Sequence, residues 1–149
     1  MSEELSKHQL FIYMGAIDNY IRRRDYRRQR LRERYPILAA VAEVVLRNVI
    51  DAVNNHVCPY CGSEMSMRSA VVRHILLSHS EAYYNDIKYA VDVYVKLRKM
   101  LTRTNKHRNG LCTQVYKLKT GDGVIVGKQR DIANEILRNP SILQKLGVL

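Results

Sequence analysis

Apolar residues recur at helical spacing along most of the chain. In the first segment they form one stripe, which predicts an amphipathic helix that starts near Ser2 and is buried as far as Ile21. The stripe consists of Leu10, Met14, Ile17 and Ile21. Beyond it the residues are basic on nearly every side, so we expect this part to project from the core or to lie along a partner. Pro36 then marks a break and a new helix start.

Two further long helices are predicted from the same spacing. Residues 37–55 are apolar on most sides, which predicts the core helix of the fold. The one polar strip of this helix consists of Glu43, Arg47, Asp51 and Asn54. Residues 81–104 predict a long amphipathic helix, which begins at a capping box of Ser78 and Glu81 and is basic in its last turns.

From residue 109 the helical spacing gives way to short runs of β-branched and aromatic residues. The runs "LCTQVYKL" and "VIV" flank "KTGDG", which predicts a β-hairpin. A short helix is predicted over residues 129–138, ending at Asn139-Pro140. A capping box of Ser141 and Gln144 predicts a last helical turn before Gly147.

The distribution of charge along the chain favours a polyanionic partner. The 149 residues include 25 Lys and Arg against 14 Asp and Glu. Residues 21–34 contain eight Arg and two acidic residues, and residues 93–121 contain eight Lys or Arg and no acidic residue. A single charge run is most often a solvated surface, but two such runs in one small chain favour nucleic acid first and an anionic membrane surface second.

Cysteine usage and hydropathy predict an intracellular protein without a membrane segment. Three cysteines, two of them close together, are unlike the even, dispersed set of a secreted disulfide framework. The first residues lack the basic-then-apolar order of a signal peptide, and no apolar run approaches the ~18 residues of a membrane span. We therefore expect a reducing compartment.

The sequence "CPYC" at residues 58–61 is compatible with two kinds of site. A thiol–disulfide enzyme carries such a dithiol where a strand meets a helix N-terminus, whereas the residues before Cys58 have a helical pattern. With His74 and His79, the cysteines complete C-x2-C-x12-H-x4-H, a spacing that fits tetrahedral zinc held by a turn and one helical face. Gly62 suits the left-handed backbone of a metal-binding turn. Zinc is the favoured interpretation and a redox dithiol is the alternative.

With these residues the chain resembles the two-Cys, two-His (CCHH) zinc finger family. The resemblance covers "CPYCGSEMSMRSAVVRHILLSH", with Met65 and Val71 at the two apolar core positions of the family. It implies one structural zinc ion bound by Cys58, Cys61, His74 and His79. It also implies a finger helix whose positions −1, 2, 3 and 6 contact bases in the major groove. Those positions fall on Met67, Ser69, Ala70 and Arg73, of which Arg73 is the one suited to guanine.

The remaining histidines and the third cysteine carry no assigned chemistry. His56 and His107 are expected to be ordinary polar residues, although His56 lies close enough to the cysteines to replace a ligand. Cys112 is expected to be a small buried side chain of the hairpin. Tyr26 and Tyr35, which are interleaved with arginines, fit stacking on exposed bases and core packing equally well.

The predicted fold class is mainly α: a helical body with an inserted CCHH zinc finger and a small C-terminal β-hairpin–helix element. Four segments are expected within one compact domain. They are an N-terminal helical segment with a basic arm (1–56), the zinc finger (57–80), a long amphipathic helix with a basic end (81–108), and the β-hairpin with short helices (109–149).

These features together predict a DNA-binding protein that acts as a transcription regulator on double-stranded DNA. The predicted contacts are Arg22, Arg23, Arg24, Arg27, Arg28, Arg30, Met67, Ser69, Arg73, Arg98, Lys99 and Arg103. We expect no catalysis and no small-molecule substrate, because four protein ligands leave zinc no open position. Two alternatives stay open, an architectural protein that coats nucleic acid without sequence preference and a zinc-stabilised module that binds an acidic protein. Homodimer formation stays open as well.

Overall fold

The computed structural model describes residues 5–23 and 25–149, except for the side chains of residues 25–27 and 108. Eight helices and one three-stranded sheet are defined in this part of the chain, which confirms the prediction of a mainly α fold. The helices are α1 (Lys7–Arg22), α2 (Asp25–Arg34), α3 (Pro36–Val45), α4 (Arg47–Asn54), α5 (Arg68–Ser78), α6 (Ser80–Met100), α7 (Gln129–Arg138) and α8 (Ser141–Lys145). The strands β1 (Thr102–Arg108), β2 (Leu111–Thr120) and β3 (Gly123–Gly127) pair antiparallel in that order.

The first helix begins later than its apolar stripe predicts. The Ser6 hydroxyl accepts a hydrogen bond from the Gln9 N–H at 3.1 Å, and the Gln9 side chain accepts one from the Ser6 N–H at 3.4 Å. This reciprocal capping box fixes the start of α1 at Lys7, so the predicted start near Ser2 is wrong. The stripe itself is confirmed: Ile17 and Ile21 are buried, and the apolar residues before them pack against the same core.

The predicted core helix is confirmed in α3, which lies between two hydrophobic clusters. All residues from Ile37 to Ala42 are buried. One side of α3 joins the first cluster, built around Ile17, Ile50 and Ile87 of α1, α4 and α6. The other side joins the second cluster, built around Leu97, Leu118 and Ile136 of α6, β2 and α7. The helix predicted over residues 37–55 is interrupted at Leu46, and this break turns the apolar face of α4 towards the first cluster.

The C-terminal part is a three-stranded sheet covered by α7. The predicted hairpin is confirmed as β2 and β3, and the predicted helix over residues 129–138 is confirmed as α7. The helix predicted to reach residue 104 ends at Met100 instead, and the residues that follow form β1. Asn109 and Gly110 join β1 to β2 with φ of 52° and 77°, the backbone that a two-residue type I′ hairpin turn requires.

Two predicted capping boxes are wrong. The residue that caps α6 is His79, with no side-chain hydrogen bond, so Ser78 and Glu81 do not form a box. The Ser141 hydroxyl donates to Asn139 Oδ1 at 2.6 Å instead of capping α8. Gly147 has a φ of 72°, the left-handed conformation that follows many helix ends. None of the helices in the described part of the chain is both long and apolar enough to cross a bilayer.

Candidate metal centre and basic surfaces

Four side chains converge where the turn after α4 meets the junction of α5 and α6. One ligand atom each from Cys58, Cys61, His74 and His79 lies within 4.8 Å of the other three. Cys61 Sγ and His74 Nε2 are 3.3 Å apart, and the ring centroids of His74 and His79 are 5.1 Å apart. Ligands at roughly 2.0–2.3 Å from a tetrahedral zinc ion lie about 3.3–3.8 Å from one another. The four residues are therefore placed to bind one metal ion.

A tight backbone turn positions the two cysteines. The Cys58 N–H donates to the Ser63 carbonyl and the Gly62 N–H donates to the Cys58 carbonyl, both at 2.9 Å. Gly62 has the predicted left-handed backbone, with a φ of 75°. The Met65 N–H closes the turn by donating to the His56 carbonyl at 2.9 Å. This local network sets Cys58 inward and Cys61 outward.

The two histidines come from α5 and from its junction with α6. His74 lies within α5, whereas His79 ends α5 and caps α6. The His79 N–H donates to the Ile75 carbonyl at 2.7 Å, and its own carbonyl accepts from the Tyr83 N–H at 3.0 Å. Val71 is fully buried in the first cluster, to which Cys58 also belongs, as the family core position implies. A metal ion at the cluster would connect the turn, α5 and α6 to this core.

Hydrogen bonds stabilise the thiolate of Cys61. The side chain and backbone of Ser63, followed by His74 and His79, lower the pKa of Cys61 to about 5. The thiolate is the form of cysteine that binds metal, so this environment favours metal binding at neutral pH. The cluster is therefore suited to a metal ion by its electrostatics as well as by its distances.

Two tyrosines connect the metal centre to neighbouring elements. The Tyr60 ring lies 5.6 Å from the His79 ring, and its hydroxyl donates to Asp86 Oδ2 at 2.7 Å. Burial and the Asp86 carboxylate raise the pKa of Tyr60 well above its usual value. The Tyr83 hydroxyl donates to Asp18 of α1 at 2.7 Å, with its own pKa raised by burial and by that carboxylate. Both hydroxyls are therefore protonated donors at neutral pH.

The CPYC segment does not have the geometry of a thiol–disulfide site. It forms a turn after α4, and the next helix begins only at Arg68, so no helix N-terminus lies at Cys58. His56 and His107 are not members of the metal cluster. Cys112 is exposed and not buried as predicted, because the first four residues of β2 are all exposed.

Three of the four predicted base-contacting positions lie on an open groove beside α5, and the fourth, Ala70, is half-buried and does not line it. The first residue of α5 is Arg68. This start places Met67, Ser69 and Arg73 at the helix positions that the family resemblance assigns to them. All three are exposed and line a groove of about 700 Å³ together with Arg22 of α1. We call it the α5 groove. The fold thus brings one arginine of the basic arm to the three finger positions.

Arg28 lies inside the fold, although it was predicted to contact nucleic acid. It is 4% exposed, and its Nε donates to the Arg23 carbonyl at 3.1 Å. Its Nη2 donates to the Ile21 carbonyl at 3.3 Å and to Asn54 Oδ1 at 3.4 Å. α1 ends at Arg22 and the chain turns back into α2, which directs this guanidinium to the C-terminal carbonyls of α1. Arg28 is therefore not part of the exposed basic surface.

Arg68 reaches the same carbonyls from the start of α5. Its Nη1 donates to the Arg22 carbonyl at 2.7 Å, its Nη2 donates to the Ile21 carbonyl, and its Nε donates to Asn54 Oδ1 at 3.1 Å. Two guanidinium groups thus satisfy the C-terminal end of α1, where the helix dipole favours positive charge. The sequence prediction did not include Arg68.

The other predicted contacts of the first basic segment are at the surface where the structure describes them. Arg22, Arg23 and Arg30 are exposed, and Arg22 forms an ion pair with Asp18 at 3.3 Å. Arg24 and the side chain of Arg27 lie outside the described residues.

The second basic segment does not form one helical face, because α6 ends within it. Arg98 and Lys99 are exposed at the end of α6, and Arg103 is exposed on β1. Arg98 and Arg103 line a second cleft, of about 400 Å³, and Lys99 does not. Of the three contacts predicted in the second basic segment, Arg98 and Arg103 therefore lie together at this cleft and Lys99 lies outside it.

Comparison of the chain with protein-family models, curated proteins and solved structures finds no match. The resemblance to the CCHH family therefore rests on the spacing of the four ligands and on their convergence in the fold.

Proposed function

We propose that the protein binds one structural zinc ion and double-stranded DNA, and that it acts as a transcription regulator. The observation that carries the proposal is the α5 groove, where Arg22 of the basic arm meets Met67, Ser69 and Arg73 of a helix fixed by the metal cluster. DNA binding by such a surface needs cations for phosphates and polar groups for base edges, and the groove has both.

The donor set of the cluster supports zinc. Two thiolates and two imidazoles in a tetrahedral arrangement are the ligands of structural zinc sites. Because all four positions are taken by protein ligands, no position is left for water or substrate. Zinc here would hold the turn and the α5–α6 junction together and would perform no catalysis.

The DNA contacts divide into two kinds. The exposed cations Arg22, Arg23 and Arg30 would bind phosphates, which contributes affinity that is independent of sequence and sensitive to salt. Arg73 would read a guanine from the groove, with Ser69 beside it. A single finger buries only about 600–1,000 Å² on DNA, so the basic arm must supply much of the binding.

A second candidate function is supported by the apolar part of the α5 groove. Leu77 and Met67 are 75% and 54% exposed, and both line the groove. Apolar side chains along a groove are typical of sites that bind the apolar face of a partner helix. On this basis the groove would belong to a zinc-stabilised protein interaction module.

A salt titration of DNA binding tests the proposed function. Replacing Arg22, Arg23 and Arg30 by alanine should weaken binding to any duplex and flatten the plot of log affinity against log salt by about one for each lost phosphate contact. Replacing Lys88, Arg130 and Arg138, which are exposed outside both basic segments, removes the same charge and should have a much smaller effect. Fluorescence anisotropy with a labelled duplex measures both.

Further variants and competitors separate the functions. Arg73→Ala should reduce affinity for a preferred site by about tenfold and leave binding to random DNA unchanged. Binding that survives an excess of random competitor indicates a regulator, whereas binding lost to it indicates an architectural protein. If no duplex binds with salt dependence, the DNA proposal is wrong and the interaction module is favoured.

A further inference from the structure

The second cleft is built from arginine and tyrosine side chains of elements far apart in the sequence. It lies where the end of α2 and the start of α3 approach α1, α6, β1 and β2. Its arginines are Arg34, Arg98 and Arg103, and its tyrosines are Tyr13, Tyr35, Tyr94 and Tyr116. We call it the tyrosine cleft. It is the place where the two basic segments of the chain meet.

The three arginines leave the cleft strongly positive. All three are exposed, no acidic residue lines the cleft, and no ion pair joins any of the three to a carboxylate of the described residues. Arg98 Nη1 donates to the Tyr13 hydroxyl at 2.5 Å, and the Arg34 guanidinium lies 5.4 Å from the Tyr35 ring centre. These neutral partners hold two of the three guanidinium groups in place without neutralising them.

The tyrosine rings form walls that the core holds fixed. All four are half-buried and pack against one or both hydrophobic clusters. Tyr13 and Tyr94 pack edge to face with centroids 5.3 Å apart, and Gln129 Nε2 donates to the Tyr116 hydroxyl at 2.9 Å. Tyr116 is the cross-strand partner of Arg103, so one ring and one cation are set side by side by the register of β1 and β2. The walls therefore exist before any ligand arrives.

We propose that the tyrosine cleft binds one unpaired nucleotide of a DNA strand, with the phosphate on the arginines and the base against a tyrosine ring. Positive charge that follows the backbone and aromatic rings that stack on bases are the two components of single-strand binding sites. A volume of about 400 Å³ is at the small end of ligand sites and suits a single nucleotide. The bases of an intact duplex are stacked on each other and cannot enter a recessed site.

This inference rests on the proposed function and extends it to a strand end or an opened base pair in the same DNA. It also gives Tyr35 a role, since its position beside Arg34 in the cleft suits stacking as well as core packing.

The test compares a blunt duplex with the same duplex carrying a short single-stranded extension at one end. Both duplexes carry the fluorescent label at the other end. The wild-type protein should bind the extended duplex about tenfold more tightly, because one base gains a stacking partner. Arg103→Ala should abolish this difference, and its effect on the blunt duplex should be no larger than that of Lys106→Ala. Lys106→Ala removes the same charge from the opposite face of the same exposed strand, so it should preserve the difference.

The outcomes separate the cleft from the proposed function. Equal affinity for blunt and extended DNA would overturn the proposal that the cleft binds a nucleotide, and so would equal losses of affinity for the extended duplex with Arg103→Ala and Lys106→Ala. Either result leaves the proposed duplex binding unaffected. Binding of the extension alone, lost with Arg103→Ala, supports the cleft and overturns the proposed function. Absence of binding to either DNA overturns both. Adenosine monophosphate added as a competitor should remove the gain from the extension without releasing the blunt duplex.

Discussion

Cys61→Ala is expected to leave the protein without bound metal and to lower its free energy of unfolding by roughly 5 kcal/mol, a large part of the stability of a small domain. Cys61 is exposed, so its truncation creates no cavity, and any large loss must come from the metal. Without the ion, the four ligand side chains no longer join the turn at residues 58–65 to the α5–α6 junction, and backbone hydrogen bonds, two tyrosine hydroxyls and apolar packing remain. Thermal melting followed by helical circular dichroism, together with metal analysis, measures the effect.

Cys112→Ala is the matched control. It removes another exposed cysteine, in the part of β2 that lies away from the cluster, and should keep one metal ion per chain and the wild-type melting temperature. A chelator should destabilise the wild type and the Cys112 variant but not the Cys61 variant. Purified wild-type protein without metal, or a Cys61 variant that melts like the wild type, would show that the cluster does not bind a structural ion.

Arg28→Ala is expected to lower the free energy of unfolding by about 3 kcal/mol, and Arg68→Ala by about 2 kcal/mol. Each change removes a charged donor from the C-terminal end of α1: the Arg23 carbonyl loses the Arg28 donor in the first variant, and the Arg22 carbonyl loses the Arg68 donor in the second. The Ile21 carbonyl keeps the other arginine in each case. Chemical denaturation measures both values. Because the two residues share the Ile21 carbonyl and Asn54, the double variant should depart from additivity.

Neighbours on the same helices provide the controls. Arg30→Ala on α2 and Arg73→Ala on α5 remove exposed arginines and should change stability by less than about 0.5 kcal/mol. Wild-type stability of the Arg28 and Arg68 variants would mean that the α1 end does not need them. The difference also matters for DNA binding, because loss of affinity in an Arg28 variant would reflect a weakened fold and not a lost phosphate contact.

The convergence of the four candidate metal ligands could be predicted from the sequence because everything that defines it is local. The four ligands lie within one short segment, their spacing reflects a turn followed by a helix, and the left-handed position is occupied by Gly62. Such a site depends little on how the rest of the chain packs. The apolar stripes of α1 and α3 were predictable for the same reason, since helical spacing is a property of neighbouring residues.

The first strand was missed because its residues carry no alternation. Residues 102–107 are all exposed, so the run "TRTNKH" has no buried face that could set a period of two. The signal that could have identified the strand is Asn109-Gly110, the dipeptide most characteristic of a two-residue hairpin. The assignment of residues up to 104 to a helix ignored that signal.

The positions of Arg28 and Arg68 could not be read from local pattern. In the sequence Arg28 is one of eight arginines in its segment, and nothing separates it from Arg30. The difference arises only when α2 folds back on the end of α1, a tertiary event. The tyrosine cleft has the same origin, because its walls come from both ends of the chain.

A series of hydrogen bonds and one ion pair leads from His79, one of the four candidate ligands, to the α5 groove. Tyr83 follows His79 by about one helical turn, and the Tyr83 hydroxyl donates a hydrogen bond to Asp18. Asp18 forms an ion pair with Arg22, which lines the α5 groove. Arg73 stands one residue before the ligand His74. Both cations are thus connected to the four candidate ligands by routes through different helices. If the cluster binds zinc and the groove binds DNA as proposed, loss of the metal would release the spacing between the two cations and weaken the hold of the groove on DNA.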